Sequence, residues 1–100
     1  FKSYTLYKVQ TSAAAWVTLY TNPATRTADA NRSITSDPAD GSGVIAEVVT
    51  SGAQTKLITP ATIGFNDDNP VTTTIYAKVE NKSGGSANIT VTLTILQLET

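Results

Sequence analysis

Cysteine, histidine and methionine are all missing from the 100 residues, and each absence removes a class of chemistry. Without cysteine there are no disulfides and no thiolate-ligated zinc or iron–sulfur sites. Without histidine the usual general base at neutral pH and the commonest metal ligand are gone. Charge is sparse as well: charged residues make up 15% of the chain and the formal net charge is −1. The basic residues Lys2, Lys8, Arg26, Arg32, Lys56, Lys78 and Lys82 are scattered, whereas nucleic-acid binders cluster theirs to neutralise phosphate. No apolar run approaches the roughly 20 residues needed to span a bilayer. Lys2 is followed by Ser3, Tyr4 and Thr5 rather than by the apolar core of a signal peptide. The expectation is a soluble domain with no electrostatic preference for nucleic acid or membranes. With no initiating Met, Phe1 reads either as an internal boundary of a longer protein or as a processed end.

What the chain does contain is β-branched residues. Thr, Val and Ile together make up a third of it. Such side chains are stiff at χ1 and fit a pleated surface better than a helix. Threonine in particular serves a solvent-facing sheet surface, where it pairs across strands without exposing much apolar area.

The clearest strand signal is near the C-terminus. Asn88, Thr90, Thr92 and Thr94 alternate with Ile89, Val91, Leu93 and Ile95, the period of two that marks a half-buried strand. Upstream, residues 72–80 repeat it, with Ile75, Ala77 and Val79 inward and Thr74, Tyr76, Lys78 and Glu80 outward. The intervening residues 81–86 include Gly84 and Gly85, which supply positive φ, so the pair is expected to form a β-hairpin. A second hairpin is expected from residues 43–50 and 54–59, joined through Ser51-Gly52-Ala53. Residues 3–9 and 15–21 read as two further strands, with Trp16, Thr18 and Tyr20 on one face and Val17 and Leu19 on the other. Ala13-Ala14-Ala15 is too short to nucleate a helix. Residues 22–42 are expected to be loop on the strength of Asn22-Pro23, Asp37-Pro38 and Asp40-Gly41, with a short strand near residues 32–35. Residues 59–71 read as a second excursion, pinned to the core by Ile63 and Phe65. Six to eight short strands in one domain spanning residues 1–100 predict an all-β, two-sheet antiparallel sandwich of jelly-roll or Ig-like type. A small barrel is the alternative.

Candidate sites are few. Asp37, Asp40, Asp67, Asp68 and Asn69 carry the oxygen ligands calcium prefers. Their spacing does not match a calcium loop, and such residues more ordinarily start turns by bonding their own backbone. Asp67 and Asp68 are adjacent, so in extended chain they point to opposite sides, which does not suit paired-carboxylate hydrolysis. Ser and Thr have no His or Cys partner, and Lys56 and Lys78 read as solubilising strand charges. No catalytic residue, cofactor or metal ligand is assigned. Trp16, Tyr20 and Tyr76 are candidates for stacking on a sugar. The plainer role is that Trp16 fills the core and the tyrosines cap sheet edges.

The alternation breaks after Ile95, where Leu96 and Leu98 occupy the formerly polar phase. Two explanations stand. A β-bulge rotates the last residues back towards the same core, or Leu96 and Leu98 face a neighbouring subunit, with Tyr4 and Leu6 joining the surface from the other terminus.

Several strings carry a family resemblance. They are Ala13-Ala14-Ala15-Trp16-Val17-Thr18-Leu19-Tyr20-Thr21, Arg26-Thr27-Ala28-Asp29-Ala30-Asn31-Arg32, Gly41-Ser42-Gly43-Val44-Ile45-Ala46-Glu47-Val48, Ile63-Gly64-Phe65-Asn66-Asp67 and the stretch from Ile89 to Glu99. Together, from about Lys8 to Glu99, they resemble a small β-rich domain of virion structural proteins of marine tailed phages, cyanophages especially. The resemblance implies a tail-fibre, appendage or head-decoration module on the outer particle surface, and it carries over no catalytic residue. It implies partners among virion proteins and a homo-oligomer. Phage appendage domains are frequently trimeric, which suits an intersubunit role for the final strand. A receptor- or host-glycan-binding module at a fibre tip is the alternative function. The absent Met suits a domain cut from a longer fibre.

Overall fold

A computed structural model describes residues 3–33, 36, 42–67, 70, 72, 74–86 and 88–99. The elements run β1 (Ser3–Thr11), β2 (Ala15–Tyr20), α1 (Pro23–Ala28), β3 (Val44–Val49), β4 (Gln54–Phe65), β5 (Tyr76–Asn81) and β6 (Val91–Glu99). Among the described residues they build two three-stranded antiparallel sheets, ordered β4-β1-β6 and β3-β2-β5. The expected all-β two-sheet sandwich is the architecture found.

How the strands are connected differs from expectation. β3 does not pair with β4, nor β5 with β6; β3 and β5 flank β2, while β4 and β6 flank β1. Each expected hairpin is therefore an arch whose two strands lie in opposite sheets and face each other across the core. The connection from β1 to β2 makes a third arch between the other two. Alternation of period two fixes which face of a strand is buried, but an arch and a hairpin bury the same faces. Most strand residues were read onto the correct sides, and the neighbours were misassigned.

The three arch connections meet at one end of the sandwich. There Lys82 N donates to Ala14 O at 2.9 Å, Ser12 N to Thr90 O at 3.0 Å, and Thr50 N to Ala15 O at 2.8 Å. The buried hydroxyls of Thr11 and Thr50 lie 2.8 Å apart, and Thr50 Oγ1 also accepts the Ala15 N–H at 3.0 Å. A buried hydroxyl needs such partners, and here they tie one arch to the next.

The core is formed by Tyr4, Leu6 and Val9 of β1, Ala15, Val17 and Leu19 of β2, and Val48 of β3. Ile58, Ile75, Ala77, Ile89, Val91, Leu93 and Ile95 pack against it from the outer arches. Leu6 and Val9 are three residues apart yet both point inward, because the register with both neighbours shifts between Leu6 and Lys8. That bulge turns Tyr7 and Lys8 out together. Opposite it, β4 fits four residues between Leu57 and Thr62, the partners of Lys8 and Leu6, and Pro60 falls in this interval, as an edge strand tolerates. Near its end Gly64 lies over the Tyr4 ring: a Cβ there would come within 2.6 Å of Tyr4 Cζ. β4 thus absorbs the first half of the expected 59–71 loop.

The expected loop at residues 22–42 begins instead with a helix. Asn22 is the N-cap, its side chain accepting the Thr25 N–H at 2.8 Å, and Pro23 opens the first turn. Arg32 and Ser33 are not in a strand; the rest of the strand expected near residues 32–35 lies outside the described residues.

Candidate functional site

The two sheets treat their outer faces in opposite ways. On the β2 sheet the outer residues Trp16, Thr18 and Tyr20 are at most 2% exposed, because the segment from residue 22 to residue 33 lies across them as a strap. α1 contributes no buried residue, so the strap is held by polar contacts. Asp29 is its anchor. It accepts Arg32 Nε at 2.8 Å and the Tyr20 hydroxyl, its backbone carbonyl accepts Lys78 Nζ at 3.0 Å, and that ammonium lies 3.7 Å from its carboxylate. Arg32 continues to the Glu47 carboxylate, which also accepts the Thr18 hydroxyl at 3.1 Å. Arg32, Lys78 and Lys82 all lie over the Trp16 ring, at 5.2, 4.5 and 5.7 Å from its centroid, so the indole is roofed by cations.

The electrostatics follow from this geometry. The Arg32 hydrogen bond holds Asp29 below the usual carboxylate range, helped by Tyr20 and Lys78. Burial alone would raise Glu47; Arg32, Trp16 and Thr18 outweigh it and hold that acid low too. Trp16 Nε1 makes no hydrogen bond of full geometry, so its influence on Glu47 is the weaker, longer-range kind. Arg32 is raised, chiefly by Glu47 and then by Asp29. Burial first, and Asp29 second, push Tyr20 up to about 12.

A depression of about 390 Å³ opens beside the strap, lined by Trp16, Asn31, Arg32, Ser33, Glu80 and Lys82 among others. Its charges are already committed: Arg32 to Asp29 and Glu47, and Lys82 to Glu80 at 2.7 Å. Among the described residues no three acidic side chains come together as a metal cage. Asp67 accepts Asn22 Nδ2 at 2.9 Å, while Asp37, Asp40, Asp68 and Asn69 lie outside the described residues. Nor is any helix long and apolar enough to cross a membrane, among the described residues.

The expected sugar-stacking residues are placed by this arrangement. Trp16 and Tyr20 are buried and offer no exposed ring face; Trp16 is an interior residue, as the plainer reading expected, though beneath the strap rather than in the main cluster, while Tyr20 lies buried on the central strand instead of capping an edge. Tyr76 is partly exposed, with Arg26 lying 5.5 Å over its ring.

Among the described residues, nothing comparable covers the outer face of the β1 sheet. Across the three strands, Ile63, Thr5 and Leu96 stand in one row and Phe65 and Ser3 in the next. Leu57 pairs with Lys8 beyond the bulge. Ile63 and Leu57 are each 67% exposed, Leu96 53% and Phe65 49%. Leu98 and Tyr7 stand at the two bulges, 47% and 41% exposed. Towards the arch end the same face turns polar, with Gln10, Thr55 and Thr92 exposed. At a strand spacing of roughly 5 Å the row sets Ile63 and Leu96 on either side of Thr5, so exposed apolar side chains gather on one face, the kind of surface that marks a contact.

Of the four residues expected at an interface, Leu96 and Leu98 are on this surface and Tyr4 and Leu6 are not. Tyr4 and Leu6 point inward and are 1% and 0% exposed. A bulge does occur near the end of β6, between Ser3 and Tyr4 of its partner strand, yet it leaves both leucines exposed rather than returning them to the core. Ile63 and Phe65, expected as core anchors, are the surface residues that sequence reasoning missed. The available signal was their spacing of two with Gly64 between them, once β4 is allowed to run on past Pro60. Comparison of the chain with protein families, with curated proteins and with solved structures finds no match.

Proposed function

We propose that this chain is a non-enzymatic structural module that acts by protein–protein contact through the outer face of its β1 sheet. On the strength of the resemblance drawn from its sequence strings, we place it among virion proteins of a tailed phage, as a tail-fibre, appendage or head-decoration module. The observation that carries the contact reading is the uncovered apolar patch of Ile63, Phe65, Leu57 and Leu96, in a chain that covers its other outer face with its own strap. An apolar area left open beside one deliberately closed is surface kept for a partner. The glycan-binding alternative loses support, because Trp16 and Tyr20 lie beneath the strap.

Lys8 is paired with Leu57 on the same face, and its amine gives a chemical handle for the test. Cross-linking mass spectrometry on purified particles is expected to join Lys8 to a virion protein or to a second copy, and Ile63→Asp is expected to abolish the link. Absence of the chain from the particles refutes the virion assignment. A Lys8 link unaffected by Ile63→Asp refutes the contact face.

A further inference from the structure

Among the described residues the sandwich has four edge strands, and three of them carry the devices that discourage strand addition along their length. β3 carries Glu47, β4 carries Lys56 and Pro60, and β5 carries Lys78 and Glu80. Charges and prolines on an edge block pairing with another chain. β6 carries only Glu99, at its last position. From Val91 to Leu98 it is Val-Thr-Leu-Thr-Ile-Leu-Gln-Leu, eight residues with no charge, no proline and no glycine. Among the described residues it pairs with β1 alone, so alternate backbone N–H and C=O groups face outward. Its inward residues Val91, Leu93 and Ile95 are only partly buried, and among the described residues no strand lies beyond them. Such a strand is the pattern that strand pairing selects, and left open it is an aggregation hazard.

We propose that β6 pairs edge to edge with β6 of a second copy of this chain, antiparallel about a twofold axis, so that the two β1 sheets join into one. The sequence suits its own reverse. In an antiparallel pair directly opposed residues share a face, so the exposed threonines and Leu96 of one copy meet the same set of the other. The inward Val91, Leu93 and Ile95 do likewise. From Val91 to Leu98 no like charges are brought together. The joined sheet also carries Leu96 and Leu98 of both copies to its centre, making two apolar patches into one. This inference names a partner for the contact face proposed above and rests on that reading, but its geometry is separately testable.

Sedimentation velocity of the chain over a concentration series, with residue-resolved hydrogen exchange by NMR, tests it. The expected result is a dimer in which every amide from Val91 to Leu98 is protected. In Thr94→Lys, which sets like charges near the twofold axis, the dimer is lost and alternate β6 amides exchange freely. Thr55→Lys, the same change on the opposite edge of that sheet, keeps the dimer. Thr94 and Thr55 are both exposed, and unchanged Trp16 fluorescence reports that each variant is folded. A monomer at every concentration overturns the pairing. A dimer with freely exchanging alternate β6 amides also overturns it. So does a dimer dissolved by Ile63→Asp but not by Thr94→Lys, and that outcome leaves the contact face standing without edge pairing.

Discussion

Asp29→Asn is the sharpest test of how the strap is held. The substitution keeps the shape and one acceptor oxygen but removes the charge that Arg32 and Lys78 meet. Hydrogen bonds to charged groups are worth about 1.5–3 kcal/mol and neutral ones about half of that. Asp29 has little accessible surface, at 9% for its side chain, yet its cover is thin: the strap's own polar groups, and no apolar residue of α1. Solvent lies just beyond those partners, so screening trims the value towards that of a surface pair. A loss of about 1–2 kcal/mol follows, read as a lower urea midpoint with an unchanged slope. Trp16 is the sole tryptophan and lies under the strap, so its fluorescence reports this site directly. Acrylamide is expected to reach it more readily in the variant at neutral pH, with the far-ultraviolet circular dichroism of the sheets unchanged. Tyr20 donates to the same carboxylate, so Tyr20→Phe and Asp29→Asn together should cost less than their sum by at least about 0.5 kcal/mol. Additive losses, or a quenching curve identical to that of the unaltered chain, refute the idea that Asp29 fastens the strap.

Four further outcomes follow from the same structure. Thr50→Val conserves shape but removes the acceptor for the buried Ala15 N–H and the partner of Thr11; a loss of about 1–3 kcal/mol is expected by thermal or urea unfolding. Gly64→Ala forces a methyl against the buried Tyr4 ring, and overpacking of this kind costs about 1–3 kcal/mol in the same assay. In acid, Asp29 and Glu47 have folded pKa values below their unfolded ones. Their contribution is therefore complete above about pH 4–5 and is lost as the pH falls through the folded values, so Trp16 should become quenchable below pH 4, and not between 7 and 5. In alkali, Tyr4 and Tyr20 are raised to about 12. Their contribution is full below pH 10 and is lost as the pH climbs towards 12, a decline to be followed by tyrosinate absorbance together with circular dichroism.

Much of the fold is legible because a period of two is a physical constraint on each strand separately. Ala77 and Val79, or Leu93 and Ile95, face inward whatever their strand pairs with, and the sequence shows that plainly. Which strand lies alongside is decided by the connection. Residues 51–53 and 83–86 are glycine-bearing turns that serve a hairpin or an arch equally well; Gly84 does adopt a positive φ of 84°, but both connections accept it. The strap was illegible for a different reason. Trp16 is covered by Arg32 of the strap together with Lys78 and Lys82, and a cover made of charges leaves no hydropathy signal. Its one local mark was Asn22-Pro23, a cap followed by a proline in the first turn, which announces a helix as readily as a loop. On the β1 sheet, Pro60 and Gly64 read as loop residues, and so hid the continuation of β4 that turns Ile63 and Phe65 outward.

The low charge of the chain takes on a meaning once these placements are known. Lys78, Arg32, Asp29 and Glu47 gather on the β2 side, where they cancel one another around Trp16. The outer face of the β1 sheet is left with Lys8 among threonines, glutamine and the apolar row. Stability of the strap and affinity for a partner are thus carried by different residues on opposite sides of the core, about two packed layers apart. A face with so little charge costs little to dehydrate, since threonine hydroxyls can pair across an interface while an unpaired ion cannot. The same economy governs β6: a strand free of charge from Val91 to Leu98 can meet its own copy without repulsion, whereas the charges of β3 and β5 and the lysine and proline of β4 close the other three edges. The distribution of a few charges, more than the abundance of threonine, is what separates the surface that this chain protects from the surface it presents.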